Sequence, residues 1–203
     1  DNDINRTFEN VYGARDKNDL YTASKYYIKS KDGEIEKELN VFPEVLKFTG
    51  ITTYIPYYIG AIYKHPEKNI IVQPLQYMNY LLYFDLDNEK YFAVHKKGSL
   101  SFDDDISSFA NVKMCFGSAS VTSEYIFVIY DLNDDRKDPE MTDLLVFDWN
   151  GNKLAELKLN AYVYRIAFDE IHSKSYGLGY SEGNTDEGLF SFDFNELMSS
   201  LNK

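Results

Sequence analysis

Gly179, Ser181 and Gly183 have the spacing of a nucleophile elbow, in which a serine is exposed on a turn between a strand and a helix. The residues that follow, 184–188, are polar and lead into another apolar segment, so no helix is predicted after the serine. Hydrolases of this kind also place a histidine after the serine, whereas His172 is the last histidine in this sequence. We therefore interpret the motif as a turn between two strands.

Two acidic segments, 85–89 and 131–135, imitate the start of a calcium loop, where alternating carboxylates supply oxygen ligands. Neither has the glycine at the sixth position, the closing glutamate or the flanking helices of such a loop. Asp134, Asp135 and Asp138 are weaker metal candidates, and calcium is the cofactor that they would bind. The alternative, which we favour, is a solvated turn whose aspartates bind their own backbone, so no metal ligand is predicted.

The histidines and the cysteine give little support for zinc or nucleophilic chemistry. His65, His95 and His172 are the only histidines, and no two of them have the spacing of metal ligands. Cys115 is the single cysteine, which excludes an intramolecular disulfide, and it lies in an apolar run without an adjacent Lys, His or helix start to stabilise a thiolate. We expect Cys115 to be a buried structural thiol, and no catalytic residue is predicted.

Three tyrosines in a connector are candidates for binding. Tyr54, Tyr57 and Tyr58 lie in a connector with prolines, where their rings could stack on a sugar or contact a partner protein. The alternative, which we favour, is that they cover the edges of neighbouring sheets. Arg165 is a further candidate, because it lies in a segment expected to line a central channel.

The composition excludes several classes of partner. The 203 residues are 44% hydrophobic and 27% charged, which is typical of a soluble globular protein. A formal net charge of -12 repels phosphate backbones and anionic membrane surfaces, so nucleic acid is not an expected partner. No apolar run approaches the roughly 20 residues of a membrane-spanning helix, so no membrane span is predicted.

The elements that would carry these residues are strands. Aromatic residues make up 16% of the chain and favour pleated sheets. Asn150-Gly151 separates two apolar, alternating runs, 144–149 and 153–159, which is the strongest short-range signal of a β-hairpin. Asp32-Gly33 predicts a similar turn near the start of the chain. Further strands are predicted at 59–63, 70–72, 81–86, 91–94, 112–116, 125–130, 164–168, 175–178 and 189–194.

An internal repeat indicates how these strands are grouped. The segments 81–86, 144–149 and 189–194 share the pattern Leu-apolar-x-Phe-Asp-apolar and start 63 and 45 residues apart. A propeller blade has roughly 40–50 residues, and we attribute the longer spacing to loops such as 131–142. The fold class predicted is all-β: a single β-propeller over 1–203, of four-stranded antiparallel blades. About four blades are predicted, near 7–45, 55–97, 112–160 and 164–203. The alternative is a β-sandwich whose strands look alike.

The hairpin at 144–153 and the strand at 165–170 with its continuation at 175–178 resemble the TolB-like six-bladed β-propellers of bacterial envelope proteins. The resemblance is clear over roughly 112–194 and weaker before that segment. Only about four blades fit into this chain, which implies a C-terminal part of a longer six-bladed protein or a smaller ring. Members of the family are often lipoproteins, and they provide no catalytic motif to carry over.

These observations favour a non-catalytic scaffold that recognises a protein, peptide or glycan in the bacterial cell envelope. The alternative is a metal-dependent propeller hydrolase or lyase with acidic residues in loops or in missing blades, and a third is a structural remnant that serves a neighbouring domain. The resemblance implies a periplasmic or cell-surface location, with a lipid anchor if further sequence precedes Asp1. Because no signal segment opens the sequence, a cytoplasmic location is the alternative.

Overall fold

The computed structural model describes residues 7–11, 21–22, 25–39, 41, 45–46, 60–97, 114–130, 142–172, 174–181, 186–193 and 199. Sixteen strands lie in these residues. They are β1 Thr7–Val11, β2 Tyr21–Thr22, β3 Lys25–Lys29, β4 Ile35–Leu39, β5 Val45–Leu46, β6 Tyr63–Lys64, β7 Ile70–Pro74, β8 Tyr80–Asp85, β9 Lys90–His95, β10 Phe116–Val121, β11 Tyr125–Tyr130, β12 Asp143–Asp148, β13 Lys153–Lys158, β14 Tyr162–Asp169, β15 Lys174–Tyr180 and β16 Glu187–Asp193.

The strands form antiparallel sheets in which neighbours along the chain are usually neighbours in space. Sheet I has the order β1-β3-β4, sheet II β6-β7-β8-β9, sheet III β10-β11-β12-β13 and sheet IV β14-β15-β16, while β2 and β5 form a separate ribbon. Every strand pair is antiparallel. The all-β prediction is confirmed. In the described residues, sheets I and IV have three strands rather than the four that were predicted.

The predicted hairpin at the outer edge of sheet III is present between β12 and β13. Gly151 has a φ of 85°, a conformation that glycine adopts without a steric penalty. The Asp148 carboxylate accepts hydrogen bonds from the backbone N–H groups of Asn150 and Asn152, at 2.9 and 2.8 Å. The Asp-Gly turn between β3 and β4 is also present, and Gly33 has a φ of 83°. Local turn chemistry therefore determines both hairpins.

The sheets stack face to face, and the two faces of a central strand serve two different cores. In β8, Leu82 and Phe84 pack with sheet I, whereas Leu81 and Tyr83 pack with sheet III. In β11 and β12 the residues likewise alternate between a core shared with sheet II and a core shared with sheet IV. A sheet that is covered on both faces has almost continuous apolar central strands, which explains why β8, β11 and β12 are buried along most of their length.

The first strands of sheets II, III and IV lie side by side, as the inner strands of propeller blades do. The backbone N–H of Ala119 in β10 donates to the Tyr63 hydroxyl in β6 at 2.9 Å. The backbone N–H of Phe168 in β14 donates to the Ser120 hydroxyl in β10 at 3.0 Å. The last strands, β9 and β13, are mostly exposed. The chain therefore has a propeller architecture built from blade-like sheets, and its extent as one propeller over 1–203 stays a prediction.

Two inner strands were predicted at the wrong positions. The strand expected at 59–63 is only Tyr63–Lys64 among the described residues, and the strand expected at 112–116 begins at Phe116 and continues to Val121. The second error arose because small residues follow Phe116 and carry no strong strand signal. They fit here because the inner strand packs closely: a Cβ on Gly117 would lie 3.2 Å from Ile129 Cγ2. Neighbouring sheets, and not local propensity, place this strand.

Candidate functional site

A groove of about 270 Å³ lies between sheets II and III and is the candidate binding site; we call it the inter-sheet groove. Residues at the ends and outer strands of the two sheets form its walls, so it opens where β9 and β13 are exposed. Its lining residues are Asn79, Leu81, Val94, His95, Lys96, Phe116, Tyr130, Leu145, Phe147, Lys153 and Glu156.

The floor of the groove is apolar because it is the partly uncovered face of the core between the two sheets. Leu81 comes from β8, Phe116 from β10, and Leu145 and Phe147 from β12; all four are buried and belong to that core. Val94 in β9 is half-buried and forms one wall. An apolar group that entered the groove would extend this core, and it would gain about 25 cal/mol for each Å² of apolar surface that it buried.

Polar groups line one end of the groove. The Asn79 side-chain amide donates a hydrogen bond of 3.0 Å to the Tyr130 hydroxyl, which fixes the tyrosine ring. The Lys96 ammonium lies 5.8 Å from the centre of that ring, within the range of a cation–π interaction. The His95 ring stacks on Tyr80, with 4.8 Å between the ring centres. These contacts hold the polar side chains in place beside the apolar floor.

The outer strand of sheet III contributes an ion pair to the lining of the groove. Lys153 Nζ lies 2.8 Å from Glu156 Oε2, and both side chains are half exposed. The hydrogen bond from Lys153, followed by its positive charge, holds the pKa of Glu156 below the usual range. Glu156 is therefore ionised at neutral pH, and the lining residues in the described ranges carry two ammonium groups and one carboxylate.

The hairpin of sheet III closes the other end of the contact between the two sheets. A Cβ on Gly151 would lie 2.8 Å from Val94 Cγ2 and 2.9 Å from Phe92 Cε2. Phe92 in turn stacks on Tyr83, with 4.6 Å between the ring centres and an interplanar angle of 5°. The Tyr83 hydroxyl donates to the Asp148 carbonyl at 3.3 Å, and burial followed by the nearby Asp148 charge raises the pKa of Tyr83.

The loop residues that the sequence singled out lie outside the described residues, so their roles stay predictions. They are Tyr54, Tyr57, Tyr58, Asp134, Asp135 and Asp138.

Arg165 lies in the described residues, on the inner strand β14, and it is exposed. Its neighbours Val163 and Ile166 are buried in the core between sheets III and IV. The inner-strand position agrees with the expectation for this segment. Arg165 does not line the inter-sheet groove, and its role in binding stays a prediction.

Asp85, in the segment 85–89 that resembles the start of a calcium loop, stabilises a turn through its carboxylate. Asp85 Oδ1 accepts hydrogen bonds from the backbone N–H groups of Asp87 and Asn88, at 3.1 and 3.0 Å, and Oδ2 accepts one from the Asn88 side chain. Burial opposes ionisation of Asp85, but these hydrogen bonds outweigh it and lower the pKa of the carboxyl. This geometry agrees with the interpretation of a turn in which the aspartate binds its own backbone.

The three histidines have three different environments. His65 is buried, and its Nδ1 accepts hydrogen bonds from the backbone N–H groups of Glu67 and Lys68 at 3.0 and 3.2 Å. Its ring lies 4.6 Å from that of Trp149, whereas the His95 ring stacks on Tyr80. His172 Nδ1 lies 2.6 Å from Asp169 on the turn after β14. Across the described residues, no group of three or more His, Cys, Asp or Glu side chains could hold a metal ion.

Cys115 is half-buried rather than fully buried. Burial raises the pKa of its thiol, and the Lys96 charge only partly opposes this effect. The thiol is therefore the dominant form at neutral pH, in agreement with the expected structural role.

The serine of the elbow-like motif follows a strand, as a hydrolase would require, but the next described element is a strand as well. Ser181 comes directly after β15, and β16 runs back antiparallel to it. A Cβ on Gly179 would lie 1.8 Å from the Tyr162 carbonyl oxygen, so this glycine serves close packing of β14 and β15. Both observations place the motif at the connection between two antiparallel strands, and residues 182–185 of this connection lie outside the described residues.

Sequence reasoning missed the inter-sheet groove entirely. Asn79, Lys96 and Glu156 are far apart in the chain, and none belongs to a recognised motif. The available signal was the mixture of charged and apolar residues along 153–158, which indicates a strand with one exposed face. Within the part of the chain that the structure covers, no helix is long and apolar enough to cross a membrane.

No protein-family model and no curated protein matches this sequence. Among solved structures, the WD40 domain of Neurospora crassa Pan2 is similar to this chain, with 8% sequence identity and a TM-score of 0.33. The alignment covers 84% of this chain and 58% of that one, so the chain spans little more than half of the Pan2 domain. We therefore assign the propeller architecture from the stacking of the sheets in this chain.

Proposed function

We propose that this protein is a non-catalytic interaction scaffold that binds a protein, peptide or glycan partner. The observation that carries the proposal is the inter-sheet groove, in which a buried apolar floor meets solvent between two rigid sheets. Binding energy in protein interfaces is concentrated in such pockets, where an anchor side chain is desolvated and surrounded by a polar rim.

The framework supports a binding role because it holds the groove in a fixed shape. Tyr83 and Phe92 of sheet II and Asp148 and Gly151 of sheet III are in direct contact at one end of the inter-sheet contact. Asn79 and Tyr130 join the same sheets at the other end. A partner that binds between these contacts loses little free energy to reorganisation of the site.

The finer part of the proposal is that the protein is a TolB-like propeller of the bacterial cell envelope, in the periplasm or at the cell surface, with a lipid anchor if further sequence precedes Asp1. Its support is the resemblance of 144–153 and 165–170 to that family. Fractionation of the bacterium that produces the protein, with metabolic palmitate labelling, tests this part. Recovery of the unlabelled protein in the cytosolic fraction would contradict it.

Selection from a displayed peptide library on the immobilised protein tests the scaffold function. Selected peptides are expected to bind the wild-type protein and to lose affinity for Val94→Trp, in which a large ring covers the apolar floor. The matched control is Lys158→Glu, an exposed change on β13 outside the groove. Robust turnover of lactones, phosphoesters or glycosides that a chelator abolishes would contradict the proposal and favour a metal-dependent hydrolase.

A further inference from the structure

From the lining of the inter-sheet groove we infer that its partner is an extended peptide segment in which an apolar side chain is adjacent to a carboxylate. This inference rests on the proposed scaffold function and specifies the chemistry of the partner. It follows from the size of the groove, its charge and the strands beside it.

The size of the groove favours one side chain over a whole small molecule. Pockets that enclose a drug-sized ligand have volumes of about 300–1,000 Å³. The groove measures about 270 Å³ and is open on one side, so it accommodates the anchor of a larger partner. Phe116, Leu145 and Phe147 offer that anchor an apolar surface with aromatic rings on two strands.

The charge of the lining selects an acidic neighbour for the anchor. Among the described residues that line the groove, Lys96 and Lys153 are accompanied by one carboxylate, that of Glu156, although the whole chain has a net charge of -12. The Lys96 ammonium lies over the Tyr130 ring at the edge of the apolar floor, so a carboxylate one residue from a bound anchor would approach it. A like-charged lysine at this position would be repelled.

The strands beside the groove favour an extended partner. In the described sheets, β9 pairs only with β8, and β13 pairs only with β12, so each has one lateral edge outside these sheets. An extended peptide that runs along either edge can add main-chain hydrogen bonds to its side-chain contacts, as in β-strand addition. A free amphiphilic acid such as 4-phenylbutyrate has a carboxylate and an aromatic ring as well, but it has no peptide backbone and cannot make the main-chain hydrogen bonds.

Three blocked tetrapeptides test the inference by NMR titration: acetyl-Gly-Phe-Asp-Gly-amide, its Asn analogue and its Ala-Asp analogue. The Phe-Asp peptide is expected to bind about threefold more tightly than the Phe-Asn peptide at low salt, since an exposed ion pair contributes less than 1 kcal/mol. The preference should disappear in 0.5 M salt, because screening acts on the exposed charges and spares the apolar contact. The Ala-Asp peptide is expected to bind at least tenfold more weakly.

Two charge-reversal variants test whether the preference for Asp over Asn arises in the inter-sheet groove. Lys96→Glu is expected to abolish or reverse the preference for Asp over Asn, whereas Lys158→Glu, the same change on an exposed residue outside the groove, should leave it intact. An unchanged preference in Lys96→Glu would overturn the inference, and so would 4-phenylbutyrate binding as tightly as the Phe-Asp peptide.

The outcomes also separate the inference from the scaffold function. Equal binding of the Asp and Asn peptides, lost in Val94→Trp, would overturn the charge preference and leave the groove as an interaction site. Peptide binding that Val94→Trp does not change would overturn both proposals. Circular dichroism of each variant establishes that it is folded before its affinity is compared.

Discussion

Replacing Gly151 with alanine tests whether the hairpin of sheet III is packed against sheet II, and Gly33 provides a matched control. Both glycines occupy the left-handed region, with φ values of 85° and 83°. A Cβ on Gly33 would meet nothing within 4 Å, whereas a Cβ on Gly151 would lie within 3 Å of both Val94 and Phe92. The backbone penalty is therefore common to both substitutions, and the packing penalty belongs to Gly151→Ala alone.

The expected magnitudes follow from these two contributions. Alanine in the left-handed region costs about 1–2 kcal/mol, and the lower entropy of the unfolded alanine chain returns about 0.4–1 kcal/mol. Gly33→Ala should therefore lower the free energy of unfolding by roughly 0.5–1 kcal/mol. Gly151→Ala should cost about 1–2 kcal/mol more, as for overpacking, because Phe92 can move only by giving up its stack on Tyr83.

Urea unfolding of the two variants and the wild type, with equal m-values, measures this difference. Repeating Gly151→Ala in a Phe92→Leu background should remove part of the additional loss, because the Phe92 ring no longer obstructs the Cβ whereas Val94 still does. Equal destabilisation by Gly33→Ala and Gly151→Ala would refute the packing of this turn against β9.

Three further outcomes follow from two buried polar residues and a half-buried thiol. Thr142→Val should lower the free energy of unfolding in urea by about 2–4 kcal/mol, because the Thr142 hydroxyl accepts from the N–H of Val163 at 2.7 Å and donates to its carbonyl at 3.1 Å. A loss no larger than that of Thr142→Ser would contradict this prediction. Burial, followed by the Lys68 charge, lowers the pKa of His65, so the unfolded chain binds the proton first and the free energy of unfolding should fall as the pH drops below about 6.5. His65→Asn, which keeps a hydrogen-bond acceptor for the turn, should flatten this pH dependence, and an unchanged slope would contradict the prediction. Alkylation of Cys115 by iodoacetamide at pH 7.5 should be slower than that of glutathione, because burial raises the pKa of its thiol, and an equal rate would show that the thiol is not protected.

Sequence reasoning was successful where a pattern is local. The Asn-Gly turn at Gly151 requires a conformation that few residues adopt, and the apolar central strands β8 and β12 require burial whatever surrounds them. Sequence reasoning failed for β10, whose small residues are placed by Ile129 and Tyr63 of neighbouring strands. The predicted candidate Arg165 was placed on the correct inner strand, but no local signal connected it with a site.

The amino-acid sequence by itself determined the all-β class, the hairpins and the repeated blade-like unit, because each depends on the period of apolar residues and on turn chemistry within a few residues. The tertiary structure alone decided the stacking order of the sheets and the inter-sheet groove. Lys96 and Glu156 are distant in the chain, and only the packing of β8 and β9 against β10–β13 brings them to one apolar floor. Such long-range contacts depend on the summed burial of many side chains, which no local pattern specifies.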